Sequence, residues 1–144
     1  MDEFSRTLLP AAAESGLSLT TLSRHTPVLR RNVPDDDPVQ MAARAVRAER
    51  PGSGEHVVML TGSRVVATRE TRVLRRIKPH LDVAVASLVN VTWVPDPRGS
   101  AVELAFTVGQ TRHRFLINAP DRHQVWRLDA VFGQTFLEPL QLVF

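Results

Sequence analysis

The chain has 144 residues, 43% hydrophobic and 23% charged, with a formal net charge of +3 and no cysteine. That length suffices for one domain with a core that needs no covalent staples. The lack of cysteine excludes disulfides, thiolate metal sites and a cysteine nucleophile, and it fits a reducing compartment.

The first 34 residues give mixed signals. Phe4, Leu8, Leu9, Ala12 and Ala13 share one helical face. Pro10 is expected to kink that helix or restart it, and Gly16 to end it. Leu17, Leu19 and Leu22 follow neither the helical nor the strand period, and His25 to Pro34, with two prolines, reads as a loop. The segment GLSLTTLSRHT faintly echoes the first helix of a helix-turn-helix, but Pro27 and Pro34 stand where a recognition helix would run. A second helix is predicted from Asp37 to about Arg50. Asp37 would be its N-cap, Pro38 its first-turn residue and Gln40 its capping-box partner, with Asp35 and Asp36 favoured by the helix dipole. Val39, Ala42, Ala43 and Val46 would form its apolar stripe. Pro51-Gly52-Ser53-Gly54 reads as a turn or short linker.

Strand signals dominate from there. His56 to Leu60 and Arg64 to Thr68 are β-rich and joined by the tight turn Thr61-Gly62-Ser63. A short basic strand is predicted over Val73 to Ile77. Leu81, Val83 and Val85 alternate with polar or small residues, and Leu88 to Val94 continues the pattern, with Trp93 as a large anchor. Pro95 to Gly99 is a turn. Val102, Leu104 and Phe106 alternate, Gly109-Gln110 turns the chain, and Arg112 to Ile117 returns with His113, Phe115 and Ile117 on one face. A last helix is predicted from Pro120 to Thr135, opened by Asn118 and Asp121 as a capping box, with Val125, Leu128, Val131 or Phe132, and Thr135 on one face. The end of the chain, EPLQLVF, is apolar.

Gly54-Glu55 and LTGSRVVAT (Leu60 to Thr68), VAVASLVNVTW (Val83 to Trp93), VELAFTVGQTRHRFLI (Val102 to Ile117) and the closing helix together resemble bacterial pleckstrin-homology-like domains over about residues 54–135. The resemblance implies an α+β fold. A bent antiparallel sheet, or partly open barrel, of about seven strands would be capped by a C-terminal helix. Residues 1–53 would form an N-terminal helical extension, and 54–144 the pleckstrin-homology-like unit with its apolar tail. Burial of an amphipathic helix on a strand run leads to the same architecture.

No catalytic signature stands out. There is no nucleophile elbow, Walker motif or dinucleotide fingerprint. The five histidines lack metal-ligand spacing, although His113 and His123 could approach one another across hairpin and helix. No cofactor or metal is expected. The densest charge cluster is Arg64, Arg69, Arg72, Arg75, Arg76 and Lys78. It reads either as a charged guard on a strand edge or as a face for an anionic partner. Trp126 and the tail residues Leu140, Leu142, Val143 and Phe144 form a candidate interface.

The expectation is a non-enzymatic, cytoplasmic binding module of bacterial type. It would recognise a protein partner or another copy of itself, with anionic lipid or nucleic acid as lesser candidates. The alternatives are a nucleic-acid-binding regulator using the N-terminal segment and the arginines, and a structural subunit of a larger assembly. No apolar run approaches the roughly 18 residues of a spanning helix. The acidic start also lacks the basic n-region of a secretory signal.

Overall fold

The computed structural model describes residues 1–136. Two helices come first, α1 (Glu3–Glu14) and α2 (Leu19–Leu29). Four strands follow: β1 (Val39–Arg47), β2 (His56–Thr61), β3 (Arg64–Glu70) and β4 (Ile77–Ala84). A short 3-10 turn, Val85–Ser87, leads to β5 (Val89–Asp96), β6 (Ala101–Val108) and β7 (Thr111–Asn118), and α3 (Arg122–Phe136) ends the described chain. The strands form one seven-stranded sheet in the order β4-β3-β2-β1-β7-β6-β5, and every neighbouring pair is antiparallel. A seven-stranded antiparallel sheet with a C-terminal helix is the α+β, pleckstrin-homology-like architecture expected from the sequence. No described helix is long and apolar enough to cross a membrane.

The helix expected over Asp37 to Arg50 is instead strand β1. It lies fourth in the sheet order and joins the two halves of the sheet through β2 and β7. The sheet therefore begins at Val39, ahead of the expected boundary between residues 53 and 54. Asp37 does cap something, but it is the β2–β3 hairpin. Its Oδ2 accepts from Thr61 Oγ1 (2.7 Å), Ser63 N (3.3 Å) and Ser63 Oγ (2.5 Å).

Both faces of the β1–β3 half are buried. On the inner face, Ala43, Ala45, Val58, Leu60, Val65 and Ala67 pack with Phe106, Phe115, Ile117 and the α3 residues Val125, Leu128 and Phe132. On the outer face, Val39, Ala42, Val57, Met59 and Val66 meet Phe4, Leu8 and Ala12 of α1 and Leu22 and Leu29 of α2. β2 is buried along its whole length as a result. The N-terminal helices are thus a second layer of the same body.

The segment expected to be a loop from His25 is the second half of α2, which continues through Pro27, and α1 likewise continues through Pro10. Both prolines are exposed, so water can take the carbonyls their missing N–H groups leave free. The short strand expected over Val73 to Ile77 is a loop. It closes with Thr71 N bonded to Arg76 O (2.8 Å), Arg76 N bonded to Thr71 Oγ1 (3.1 Å) and Arg75 at φ 51°. β4 starts only at Ile77. Leu88 to Val94 does not continue β4 either: the 3-10 turn intervenes, and β5 lies at the opposite edge of the sheet.

The β2–β3 and β6–β7 hairpins fall where expected, the second turning at Gly109 with φ 59°. α3 starts at Arg122, two residues later than expected. Asp121 Oδ1 accepts from Gln124 N (2.9 Å) as the cap, and Pro120 precedes the helix.

Candidate functional site

The structure disperses the six basic residues singled out in the sequence. Arg64 is held on its own sheet, with Nε 2.7 Å from Asp82 Oδ1 and Nη2 3.2 Å from Asp82 O. Lys78 lies exposed on the edge strand β4, opposite Arg69 of β3. Pro79 beside it removes a backbone donor from that edge, so proline and lysine together oppose strand addition there. Arg72, Arg75 and Arg76 stay together on the β3–β4 loop, and all three are exposed. Between them Val73 is 91% and Leu74 66% exposed.

That loop forms one wall of a cavity of about 440 Å³ on the outer side of the sheet. Arg24 of α2, Arg44 of β1, and Arg72 and Arg75 of the loop line it together with Glu55 and Glu70. Arg24 Nη2 pairs with Glu70 Oε1 (2.7 Å) and also donates to Arg75 O (3.1 Å), which ties α2 to the loop. Arg44 pairs with Glu55, and Arg72 Nη2 donates to Gly52 O (2.6 Å). Hydrogen bonding and charge from Arg24 hold the Glu70 carboxyl below its ordinary range. The partly exposed side chains of these pairs leave the guanidinium charges open to solvent and to ligands. His25 and Val57 close the inner end of the cavity. His25 is buried, its Nδ1 lies 2.7 Å from Thr68 Oγ1, and burial followed by the Arg24 charge pushes its pKa down.

A second cavity, about 270 Å³, opens beside the inner core and is lined by Arg47, His56, Arg69, Pro79 and His80. The His80 ring stacks edge to face against His56 (4.9 Å between centroids), His113 (6.1 Å) and Phe115 (6.0 Å). Burial, with His56 and then Arg47 as lesser causes, lowers the His80 pKa to about 4. Arg47 is itself bound to Glu49, with Nη2 3.0 Å from Oε1. The histidine that reaches His113 is thus His80, from the far strand β4, whereas His123 is exposed on α3. Among the described residues, no three His, Asp or Glu side chains converge as metal ligands.

Arg24, Arg44 and Arg47 were not among the residues singled out in the sequence. The residue pattern places Arg44 and Arg47 on a helix that does not form and Arg24 just ahead of an expected loop. Trp126 is 49% exposed on α3. The candidate tail residues Leu140, Leu142, Val143 and Phe144 lie outside the described residues.

No protein-family model matches the chain, and no curated protein matches it. Among solved structures, it is similar to the DH/PH domains of p115-RhoGEF (14% identity, TM-score 0.49, 92% of this chain and 39% of that one). It is also similar to the Vav1 exchange factor with its PH and C1 domains (11%, TM-score 0.47, 90% and 36%). A third similar structure is the Ran Binding Domain of the nuclear complex component Nup2 from Ashbya gossypii (12%, TM-score 0.42, 69% and 94%). The chain therefore spans well under half the length of the first and second of these. Likenesses this distant assign no ligand or partner to it.

Proposed function

We propose that this protein is a non-enzymatic binding module that recognises an acidic protein partner through the β3–β4 loop. The observation that carries the reading is the composition of that loop. Val73 and Leu74, 91% and 66% exposed, project between Arg72 on one side and Arg75 and Arg76 on the other. Adjacent apolar side chains left in water favour a contact that buries them. Arginines around them steer an oppositely charged surface and supply forked hydrogen bonds once it docks. Two features hold the loop in shape. Arg24 bonds to the Arg75 carbonyl, and the Thr71–Arg76 hydrogen bonds close its neck. A pre-shaped loop loses less entropy on binding. We place the module in a bacterial cytoplasm, in keeping with a cysteine-free chain.

The test uses three immobilised baits in lysate of the source cells, washed over a range of salt concentrations: wild type, Arg72→Ala/Arg75→Ala/Arg76→Ala, and Val73→Ser/Leu74→Ser. Acidic proteins held by wild type at low salt should be lost from both variants. Retention of the same proteins by all three baits overturns the reading.

A further inference from the structure

The outer cavity has a chemistry of its own, separate from the apolar tip of the loop. Four arginines, from α2, β1 and the β3–β4 loop, meet two glutamates there, a formal charge of +2 with His25 and His56 neutral. Sequence spacing does not foretell the grouping, since residues 24, 44, 72 and 75 converge only because α2 packs on the outer face of β3. Two of the four guanidinium groups pair with Glu55 and Glu70, which an incoming anion can displace at little cost because the pairs are partly exposed. Once freed, each carboxylate accepts hydrogen bonds from hydroxyl groups. At about 440 Å³ the space holds a small organic molecule as well as its anionic group.

We propose that this cavity is a binding site for a small phosphate monoester carrying hydroxyl groups. The dianion sits among Arg24, Arg44, Arg72 and Arg75, and the hydroxyls face Glu55 and Glu70. A dianion matches the formal charge, and tetrahedral phosphate oxygens can each take a separate arginine fork. The site goes beyond the partner-binding reading: it shares Arg72 and Arg75 with the loop, and Arg24 bonds to the loop backbone, but Arg44 belongs to the cavity alone.

Amide NMR titrations at constant ionic strength test it, with inorganic phosphate, glucose 6-phosphate and glucose as probes. Saturable shifts are expected at residues 24, 44, 55–57 and 70–75. Glucose 6-phosphate should bind more tightly than inorganic phosphate, and glucose should not bind. Arg24→Gln/Arg44→Gln should weaken glucose 6-phosphate binding at least tenfold, whereas Arg98→Gln, on a distant exposed turn, should leave it unchanged. If the first variant loses spectral dispersion, Arg72→Gln/Arg75→Gln takes its place with the same expected loss. Shifts that never saturate, or that appear equally around Arg98 and Arg112, mean an adventitious ion only and overturn the site. Equal affinity for inorganic phosphate and glucose 6-phosphate overturns the hydroxyl-reading role of the glutamates. Arg44→Gln alone removes one cavity arginine and none of the bonds that shape the loop, so it should weaken glucose 6-phosphate binding yet still retain the acidic partner. Failure of the phosphate site and failure of the partner reading are therefore seen separately.

Discussion

His56 and His80 meet edge to face with ring centroids 4.9 Å apart, and neither Nε2 has a hydrogen-bond partner among the described residues. His56 Nδ1 donates to Gly54 O at 3.3 Å, which leaves its Nε2 as a buried lone pair. Adding a proton to either ring would bury a charge beside the other ring and near Arg47 and Arg69. At His56 the hydrogen bond to Gly54 O and then the Glu49 charge oppose that cost, and at His113 Glu49 does.

The first prediction concerns stability against pH. Burial lowers the pKa of His25, His56 and His113, and lowers that of His80 from 6.5 to about 4. The unfolded chain therefore binds more protons than the folded one below pH 6.5, and stability falls with acidification in that window. The contribution is fully present above pH 6.5 and is lost progressively as pH drops toward the folded values. With a discount for water that screens the half-buried ring, His80 alone should cost about 1 kcal/mol between pH 7.5 and 5. Urea midpoints over that range, above ordinary carboxylate titration, measure it. His80→Phe keeps an aromatic ring against Phe115 and should flatten the slope. An unchanged slope would remove His80 from the account.

The second prediction follows from Asp37 and Gly62. A Cβ on Gly62 would stand 2.7 Å from Asp37 Oδ1, and the carboxylate cannot swing away without giving up its bonds to Thr61 and Ser63. Asp37→Ala takes the acceptor from the buried Thr61 hydroxyl and from the Ser63 donors of the exposed turn, and should cost about 1–3 kcal/mol. Gly62→Ala should destabilise the wild type, but much less in the Asp37→Ala background, where the colliding oxygen is gone. Denaturant unfolding of the two single variants and the double variant reads this coupling. Strict additivity would show that the clash relaxes elsewhere.

The third prediction treats the N-terminal helices as part of the core. Phe4 is 1% exposed, with the Arg30 guanidinium 4.9 Å above its ring and its backbone N–H bonded to Asp35 O. Phe4→Ala should cost about 3–5 kcal/mol and Leu29→Ala about 2–5. Leu9→Ala, at a position 53% exposed, should stay within about 0.5. Removing residues 1–33 uncovers Val57, Met59 and Val66 and should give an aggregating or unfolded product by light scattering and circular dichroism. A well-folded truncation would separate the extension from the sheet.

Double burial also explains what the sequence did and did not reveal. The hairpins at Thr61–Ser63 and Gly109–Gln110 were legible because turn residues sit between alternating runs. α3 was legible because one of its faces is wet. β1 was not, because Met41, Ala42, Ala43 and Ala45 are all buried. Burial on both faces erases the two-residue period, and alanine-rich sequence then scores as helix. The acidic run ending at Asp37 strengthened that error, since an oxygen that caps a hairpin has the same composition as one that caps a helix. Of the candidate site, the loop arginines were legible as a charge run. Their partners Arg24 and Arg44 were not, because a docked helix and a central strand bring them there.

The last prediction uses Trp93, whose Nε1 donates to Asp129 Oδ1 at 2.9 Å. That bond crosses from the edge strand β5 to α3, and the indole also packs against Phe132 and Phe136 with centroids 6.2 and 6.0 Å away. The helix is thus fixed to the sheet at its polar border as well as through its buried face. Trp93→Phe keeps most of the packing but leaves Asp129 without this donor, at a cost of about 1–2 kcal/mol. Asp129→Ala should cost less, since the half-buried indole N–H can turn to water. Trp126, 49% exposed, is the chain's other tryptophan. A Trp126→Phe background therefore isolates Trp93 fluorescence as a reporter of helix docking. On urea unfolding its emission should red-shift together with the loss of far-ultraviolet ellipticity. An earlier fluorescence transition would mean that α3 leaves the sheet before the rest of the fold gives way.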